Sequence, residues 1–544
     1  MRENMKRNRV NGFLNVDGRK IVNELGEEII LTGWGLGNWL LQEGYMWKAL
    51  GSKRFDRPRR IEAVIEELTG KEYADSFWKT YRQNYVTEAD IRYMAELGYN
   101  SVRIPINARL FLEEGEGIHW VDEGFELLDR CIDWCEAYGL YVFLDLHGAP
   151  GGQTGDNIDD SIDDVPRLFT DQDCFDKGIA LWKKLAQRYC DRYIIAGYDL
   201  LNEPIRPKRF ADDTDFDHLL PRLKEFYETA IYEIRKIDKK HLISLEGHHW
   251  ASAKNIFCKK YDDKMIIHFH RYACLPDISC YQEFLTLAEE WDCPLWLGET
   301  GENYIEWFTA MYPLAAELGI GYNIWPWKKM DCTNSPCSIK RPENWEAIIN
   351  YAEGAAHPGY DVARGILDEF LEKIKLKNCD KLTQVSNAVL RQPGCVIRGT
   401  DFDHFPGKGI SYSGLREETN LIRYRYRTGM EIVEQYKDLP KTFGFDCGFK
   451  RYVLELAKDE FAVYSLEDVV DTSTICIHYI CEESSILEVY QDERLLTTYN
   501  LEGDSTLQIS DSISLAKPNY EFDNTKIKLR VASGVVKMDS IHTN

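Results

Sequence analysis

Two glutamates, Glu203 and Glu299, each follow an apolar run of the sequence, in the segments LLNEPI and WLGETG. A pair of carboxyl groups can hydrolyse a glycosidic bond, because one protonates the leaving oxygen while the other attacks the sugar or activates water. The two residues are far apart in sequence. They can act together only if the fold brings the ends of their two segments close in space.

Eight short apolar runs alternate with amphipathic helical stretches between residues 28 and 330. The runs are EIILTGWG (28–35), SVRIPI (101–106), LYVFLDLHG (140–148), IIAGYDLLNEP (194–204), HLISLEG (241–247), KMIIHFH (264–270), PLWLGET (294–300) and GYNIWPW (321–327). Such runs predict strands that are buried on both faces, as parallel sheets require. Eight strand–helix units favour an α/β fold of the (β/α)8 barrel type over an open doubly wound sheet.

Several of the predicted strands end in polar or aromatic residues. These are Arg103, His147, Glu203, His270, Glu299 and Trp325. In a (β/α)8 barrel the C-terminal strand ends form the active site, so six such ends indicate convergence on one pocket. The alternative for either glutamate alone is a salt-bridged or solvated residue at a strand end.

The motifs of residues 10–350 resemble those of glycoside hydrolase family 5. LNEP is similar to the acid/base motif of that family, and GETG is similar to its nucleophile motif. The resemblance implies a retaining β-glycoside hydrolase with Glu203 as acid/base and Glu299 as nucleophile, on barrel strands four and seven. The segments SVRIPI, DLHGAPG and HRY also match the family in the right order.

The same resemblance implies a set of substrate-binding residues. Arg103 would hydrogen-bond the nucleophile and keep it ionised, and Asn202 would donate to the sugar 2-hydroxyl. The other implied contacts to the sugar come from His147, His270, Tyr272 and the stacking residue Trp325. A second histidine, His268, precedes the HRY motif and offers an alternative register.

The segment GLGNWLLQEGYMW resembles the exo-β-1,3-glucanase branch of the family and implies that Trp39 and Glu43 bind the terminal sugar. We therefore expect cleavage of β-glucosidic bonds in glucans or short oligosaccharides, by exo action. The chain departs from that branch at Gly44 and Thr300, so β-1,4-endoglucanase and mannanase remain alternatives. A catalytically inactive carbohydrate-binding barrel is the alternative of another class, and transglycosylation also stays open.

Composition limits the partners of the chain. Its net charge of −24 opposes binding to nucleic acid or to an anionic membrane, because phosphate groups require Lys and Arg. A neutral carbohydrate is compatible with this charge. No apolar run is long enough to span a bilayer, and the basic N-terminus lacks an export-type apolar region, so we expect a cytoplasmic protein. The 15 cysteines form no CxxC pair, and we expect no metal or cofactor.

The pattern changes near residue 392 to short alternating runs, which predict an all-β sandwich. We predict a barrel domain over residues 1–380, a linker over 381–391 and the sandwich over 392–544. The tail resembles carbohydrate-binding modules of families 6 and 35, without their calcium-ligand strand. It contains no polar cluster that resembles a catalytic set, so we expect it to take no part in the chemistry. Tyr412 and Tyr426 are either sugar platforms or core residues.

Overall fold

A closed barrel of eight parallel strands forms the first unit of the computed structural model, which describes residues 10–417, 424–518 and 524–544. The strands are β1 (Thr32–Gly35), β2 (Ser101–Asn107), β3 (Tyr141–Gly148), β4 (Ile195–Asp199), β5 (Leu242–Glu246), β6 (Met265–Arg271), β7 (Leu295–Gly301) and β8 (Gly321–Trp325). Each strand pairs in parallel with the next, and β8 closes the barrel by pairing with both β7 and β1. The predicted (β/α)8 barrel is confirmed.

Helices connect the strands and cover the barrel. They are α1 (Pro58–Thr69), α2 (Lys71–Tyr85), α3 (Glu88–Glu96), α4 (Asp122–Tyr138), α5 (Arg167–Thr170), α6 (Gln172–Tyr189), α7 (Leu220–Arg235), α8 (His248–Ala251), α9 (Gln282–Trp291), α10 (Ile305–Glu317), α11 (Glu346–Ala352), α12 (Tyr360–Lys373) and α13 (Thr383–Val389). Short 3-10 helices span Gly44–Trp47, Ala108–Leu110, Asp217–Leu219, Ile278–Cys280, Leu376–Asn378 and Phe449–Arg451. Helix α4 shows how the sequence sets the length and orientation of a helix. Its apolar residues recur at helical spacing and are buried, and Gly139 ends the helix in the left-handed conformation.

The barrel strands are buried on both faces. Every residue of β2 and β3 is buried, including the polar residues at their C-terminal ends. Buried polar groups require partners, because an unpaired one costs about 1–3 kcal/mol. The polar strand ends therefore form a hydrogen-bonded network inside the barrel mouth, and that network positions the candidate site.

Two antiparallel sheets form the C-terminal unit. Their strands are β9 (Val396–Arg398), β10 (Glu431–Glu434), β11 (Tyr452–Ala457), β12 (Phe461–Leu466), β13 (Thr474–Cys481), β14 (Ser485–Gln491), β15 (Arg494–Leu501), β16 (Asp504–Ile509), β17 (Ile513–Ser514), β18 (Thr525–Ser533) and β19 (Val535–Thr543). One sheet has the order β10-β11-β19-β13-β16, with β9 on β19 and β17 on β13, and the other has the order β12-β18-β14-β15. Burial alternates along β14 and β18, as expected when one face of a strand covers a core.

Five further strands are short. A hairpin of Asn15–Asp17 and Lys20–Val22 precedes the barrel. Lys328–Met330 pairs with Cys337–Ile339, which also pairs with the two-residue strand Asp380–Lys381. The last three of these strands follow β8 in the sequence.

The expectation of a linker over residues 381–391 is wrong. This segment contains α13, whose residues Val385, Ala388 and Val389 are buried, and the helix packs against α10 of the barrel. Arg391, also buried, donates to the backbone oxygen of Thr309 over 2.7 Å. Apolar side chains on one face of a short helix favour packing over free solvation, so the two units are joined by a packed element.

Some sequence features lie outside the described residues. These are the basic N-terminal residues 1–9 and the segment 418–423, which includes Asn420 and Arg423 of the motif similar to carbohydrate-binding modules. Tyr412 is buried and packs on Phe402, whereas the side chain of Tyr426 is exposed. Within the described ranges, none of the helices combines the length and the apolar character needed to cross a membrane.

Candidate active site

Glu203 and Glu299 line one cleft at the C-terminal end of the barrel. Glu203 lies in the loop that follows β4, and Glu299 lies within β7. The cleft has a volume of about 530 Å³. A carboxylate oxygen of each glutamate and a ring nitrogen of His270 all lie within 4.8 Å of one another. The fold therefore brings together two carboxyl groups that are distant in sequence.

Glu203 has a strained backbone. Its φ is +43°, in the left-handed region that residues with a Cβ rarely adopt. Its N–H donates to Oε2 of the buried Glu246 over 2.6 Å. Such conformations cost on the order of 1–3 kcal/mol and persist only where the surroundings hold them. Here the hydrogen bond that the Glu203 N–H donates to Glu246 holds the turn in which the Glu203 side chain enters the cleft.

Glu299 accepts two side-chain hydrogen bonds, one from the buried Arg103 and one from the half-buried Tyr272. Arg103 Nη1 donates to Oε2 over 2.7 Å, and the Tyr272 hydroxyl donates to Oε1 over 2.6 Å. Burial alone would raise the pKa of Glu299, but the positive charges of His270 and Arg103, together with the Tyr272 bond, lower it below its ordinary value. The group is held ionised.

Arg103 lies at the centre of this network and is completely buried. Its Nε donates to Asp199 over 2.9 Å, and its Nη2 donates to Asn202 over 2.8 Å and to Glu246 over 3.0 Å. Burial opposes the charge on Arg103, but the surrounding carboxylates outweigh burial and raise its pKa. One guanidinium thus balances several buried carboxylates below the cleft.

His270 links the two glutamates. Its Nδ1 lies 2.7 Å from Oε1 of Glu203, and its Nε2 lies 3.0 Å from Nε2 of His268. Burial opposes protonation, but the charges of Glu246 and Glu299 outweigh it and raise the pKa of His270 well above its ordinary value. His270 lines the cleft, whereas His268 lies beneath it with no exposed surface. Of the two histidines that the sequence offered for this position, His270 is therefore the one that faces the site.

His147 and Trp325 form one wall of the cleft. Their rings stack with centroids 5.3 Å apart and planes 4° apart. The indole N–H of Trp325 donates to the Tyr45 hydroxyl over 3.0 Å, and Nδ1 of His147 lies 2.8 Å from Asp145. Burial, and then the charge of Arg103, lower the pKa of His147 to about 3, so its ring is neutral.

Glu43 enters the same cleft from the loop after β1. The residue is 7% exposed, and among the described residues its Oε1 has no hydrogen-bond partner. Burial, and then the charges of Glu299, Glu302 and Glu203, raise its pKa well above the ordinary value. A buried oxygen without a partner is costly. This oxygen is thus suited to a ligand that brings a hydroxyl group.

The comparisons with known proteins agree with this geometry. Residues 63–331 match the model of the family described as Cellulase (glycosyl hydrolase family 5), and this range contains Glu203, Glu299 and Arg103. Residues 63–331 form a glycosyl hydrolase family 5 domain.

Three relatives are similar to the family 5 domain. The chain is 36% identical over 240 residues to a beta-xylosidase of Phanerodontia chrysosporium, covering 44% of this chain and 47% of that protein. It is 31% identical over 216 residues to a glucan 1,3-beta-glucosidase of Candida oleophila, covering 38% and 48%. It is 24% identical over 317 residues to endoglucanase C of Acetivibrio thermocellus, covering 47% and 88%. The chain spans about half the length of the first two relatives.

One predicted residue lies away from the cleft of the family 5 domain. Trp39 is 1% exposed in the hydrophobic core, and its indole N–H donates to the backbone oxygen of Arg82 over 2.8 Å. The ring and its only donor are both already engaged, so the prediction that Trp39 binds substrate is wrong. Asn202 lies under the cleft, where its amide nitrogen lies 3.2 Å from Nε2 of His147.

Other residues of the cleft were not predicted. Glu302 lines it beside Lys329, which bonds it over 2.6 Å. Because Glu302 directly follows the GETG motif, its position in the cleft could have been predicted from the sequence. Glu246 ends β5 and bonds both Arg103 and Glu203. Phe445 belongs to the C-terminal unit yet lines the cleft, and nothing in its local sequence indicates this.

Three groups of side chains place possible metal-binding atoms within 4.8 Å of one another. Two are parts of the network already described, and the third consists of Asp217, His248 and His249. In the third group His249 Nε2 bonds Asp217 over 2.6 Å, which satisfies both atoms without a cation. Glycoside hydrolysis by two carboxyl groups requires no cation.

A second cavity, of about 680 Å³, lies at the opposite end of the barrel. Thr32 and Asn100, near the N-terminal ends of β1 and β2, line it together with Arg391 and Glu317. Burial raises the pKa of Glu317 to about 7. Active sites of these barrels lie at the C-terminal strand ends, so the smaller cleft that holds Glu203 and Glu299 is the candidate site.

Proposed function

We propose that the protein is a retaining β-glycoside hydrolase that cleaves β-glucosidic bonds by double displacement, with Glu203 as acid/base and Glu299 as nucleophile. The observation that carries the proposal is the separation of the two carboxyl groups, whose nearest oxygens lie within 4.8 Å. Retaining enzymes hold these groups about 5–5.5 Å apart, whereas inverting enzymes need about 6.5–9.5 Å to admit a water.

In the first step, Glu299 attacks the anomeric carbon. The carboxylate is suited to this because Arg103 and Tyr272 each bind one of its oxygens and keep it charged. As the glycosyl–enzyme bond forms, the negative charge on Glu299 disappears. Because this charge helps to raise the pKa of His270, its loss lowers the affinity of His270 for a proton.

Glu203 donates a proton to the leaving oxygen in the first step and accepts one from water in the second. His270 bonds Oε1 of Glu203, which leaves Oε2 for the transferred proton. The neighbouring Glu299 alternates between charged and esterified forms during the cycle. Glu203 is therefore next to a negative charge before the glycosyl–enzyme bond forms and next to a neutral ester after it has formed. This change allows the same carboxyl group to serve first as acid and then as base.

We propose exo action or cleavage of short oligosaccharides. Glu43 supports this, since its buried Oε1 lacks a partner among the described residues and can bind the hydroxyls of a terminal sugar. A continuing chain would lack one of those hydroxyls. The relatives include both a glucan 1,3-beta-glucosidase and an endoglucanase, so the substrates tested cover both linkages.

The test is product analysis by proton NMR after mixing the enzyme with p-nitrophenyl β-glycosides and with β-1,3- and β-1,4-linked oligosaccharides. The proposal predicts that the β-anomer forms first and then mutarotates. A first-formed α-anomer would mean inversion and would contradict it. Added alcohol acceptors would report transglycosylation as a new β-glycoside.

A further inference from the structure

The C-terminal unit contributes a side chain to the cleft. Phe445 lines it, and its ring stacks on the ring of Tyr272 with centroids 4.9 Å apart and planes 24° apart. Tyr272 is the residue whose hydroxyl binds Glu299. Phe445 is nevertheless 38% exposed. An aromatic ring of the second unit thus borders the carboxyl groups with much of its surface uncovered.

The position of Phe445 is fixed from both sides. Its backbone oxygen accepts a hydrogen bond over 3.1 Å from Asn303, a buried residue that follows β7. We call residues 442–448 the Phe445 loop. Within it, the buried Asp446 accepts from the N–H groups of Thr442 over 3.1 Å and of Gly448 over 2.8 Å. An exposed ring on a loop braced in this way is pre-organised, which reduces the entropy lost on binding a ligand.

Glu203 and Glu299 divide the barrel mouth into two arcs. Strands β8, β1, β2 and β3 form one arc, which carries Glu43, Tyr45 and His147. These polar groups can bind the hydroxyls of a sugar. Strands β5 and β6 form the other arc, between the two glutamates. Glu203 bonds His270 of β6, so the acid/base carboxyl group lies at the edge of this second arc.

The second arc carries a group of apolar residues beside the polar His249, Ser252 and Arg271. Trp250 follows β5, Ala273 and Cys274 follow β6, and Phe445 covers Tyr272. In the proposed function the unpartnered oxygen of Glu43, in the first arc, binds the sugar. The leaving group, whose oxygen receives its proton from Glu203, then extends toward the second arc. Where the leaving group contacts these apolar side chains, they favour an apolar group, because sugar hydroxyls placed against them would lose water without gaining partners there.

We propose that the substrate is a β-glycoside with an apolar aglycone, alkyl or aryl, and that Phe445 of the C-terminal unit is a specificity-determining residue for that aglycone. The inference rests on the proposed function and assigns an apolar aglycone to the leaving-group side of the same cleft. It also gives the C-terminal unit a part in the site, in contrast to the expectation from the sequence that the tail takes none.

The test compares hexyl and methyl β-glucosides, or the same pair of the sugar that the glycoside panel selects. Both leaving groups are simple alcohols of similar reactivity, so the ratio of their kcat/KM values reports binding of the alkyl chain. With the full-length protein, we expect the hexyl substrate to be favoured by about 30-fold, and Phe445→Ala to reduce that ratio by about tenfold. Phe445→Tyr retains the ring and should preserve the ratio within about twofold.

Phe443→Ala is the matched control. Phe443 lies in the same loop with a similar exposure of 37%, but it packs edge-on against Tyr304, with centroids 5.0 Å apart. A general loosening of the loop would affect both variants alike. The inference predicts that Phe443→Ala leaves the hexyl-to-methyl ratio unchanged.

The results that overturn the inference differ from those that overturn the proposed function. A wild-type ratio near one, an equal loss of both substrates in Phe445→Ala, or an equal change of ratio in Phe443→Ala would each contradict the assigned aglycone. Failure of the wild-type protein to hydrolyse any glycoside of the panel would instead contradict the hydrolase itself.

Discussion

Arg103 Nη1 donates to Oε2 of Glu299 over 2.7 Å, and Arg103 has no exposed surface. The same guanidinium also bonds Asp199 and Glu246. It therefore has two consequences that can be measured separately: it keeps the nucleophile ionised, and it neutralises carboxylates that the fold has removed from water.

Arg103→Met tests the second consequence. Removing one partner of a buried ionic group costs about 3–5 kcal/mol, because the remaining charges are left uncompensated. We expect a loss of that size in the free energy of unfolding, measured by urea denaturation. Glu299→Gln removes one of those charges, so the loss in Arg103→Met/Glu299→Gln should be smaller than the sum of the single losses. Strict additivity would show that the two residues are not coupled.

Tyr272→Phe tests how the nucleophile is kept charged. The lost hydrogen bond is one of the contacts that lower the pKa of Glu299, so its pKa rises in the variant. Because attack requires the ionised form, the acidic limb of the kcat/KM profile should move to higher pH, by about one unit. The phenyl ring still supports Phe445. An acidic limb that stays in place would contradict this function of Tyr272.

Glu43→Gln should weaken transition-state binding in a pH-dependent way. The raised pKa of Glu43 means that its carboxyl group is neutral at acidic pH and charged only at higher pH. Glutamine mimics the neutral form, so the loss of kcat/KM should be small at acidic pH. It should grow to about 1–3 kcal/mol as pH rises through the pKa of Glu43. A loss that is equal at every pH would indicate that Glu43 binds substrate in one protonation state throughout.

Lys328→Met should affect stability rather than catalysis. Lys328 is fully buried and lies 2.7 Å from the buried Asp90. We expect the free energy of unfolding to fall by about 3–5 kcal/mol, while kcat/KM of the folded enzyme stays within about twofold. Lys71→Ala, which removes an exposed pair with Asp75, is the control and should leave stability unchanged. A large loss of kcat/KM in Lys328→Met would place this lysine in the catalytic machinery.

The sequence predicted the elements whose signals are local. All eight barrel strands follow from buried apolar runs, and the convergence of Glu203, Glu299 and Arg103 follows from the barrel itself. Local sequence patterns did not predict the features that depend on packing between segments distant in sequence. Trp39 stands near Glu43 in sequence but turns into the core, and residues 381–391 fold because α10 offers a surface to α13.

Phe445 shows the same limit at the site. Its place in the cleft depends on Asn303, a residue of the other unit that fixes the Phe445 loop. Neither the alternating pattern of the tail nor the motifs of the barrel contain that information, because it arises only when the two units pack. Glu246 was missed for a different reason: a glutamate that ends an apolar run resembles any other strand end.

The most direct test of the account is identification of the residue that becomes covalently bound to sugar. A 2-deoxy-2-fluoro-β-glucosyl fluoride has a good leaving group but destabilises the oxocarbenium-like transition state, so the glycosyl-enzyme accumulates. Mass spectrometry of the digested protein should find one fluoroglucosyl group per chain, on the peptide that contains Glu299. A stoichiometric label on any other carboxylate would contradict the assignment of Glu299 as nucleophile.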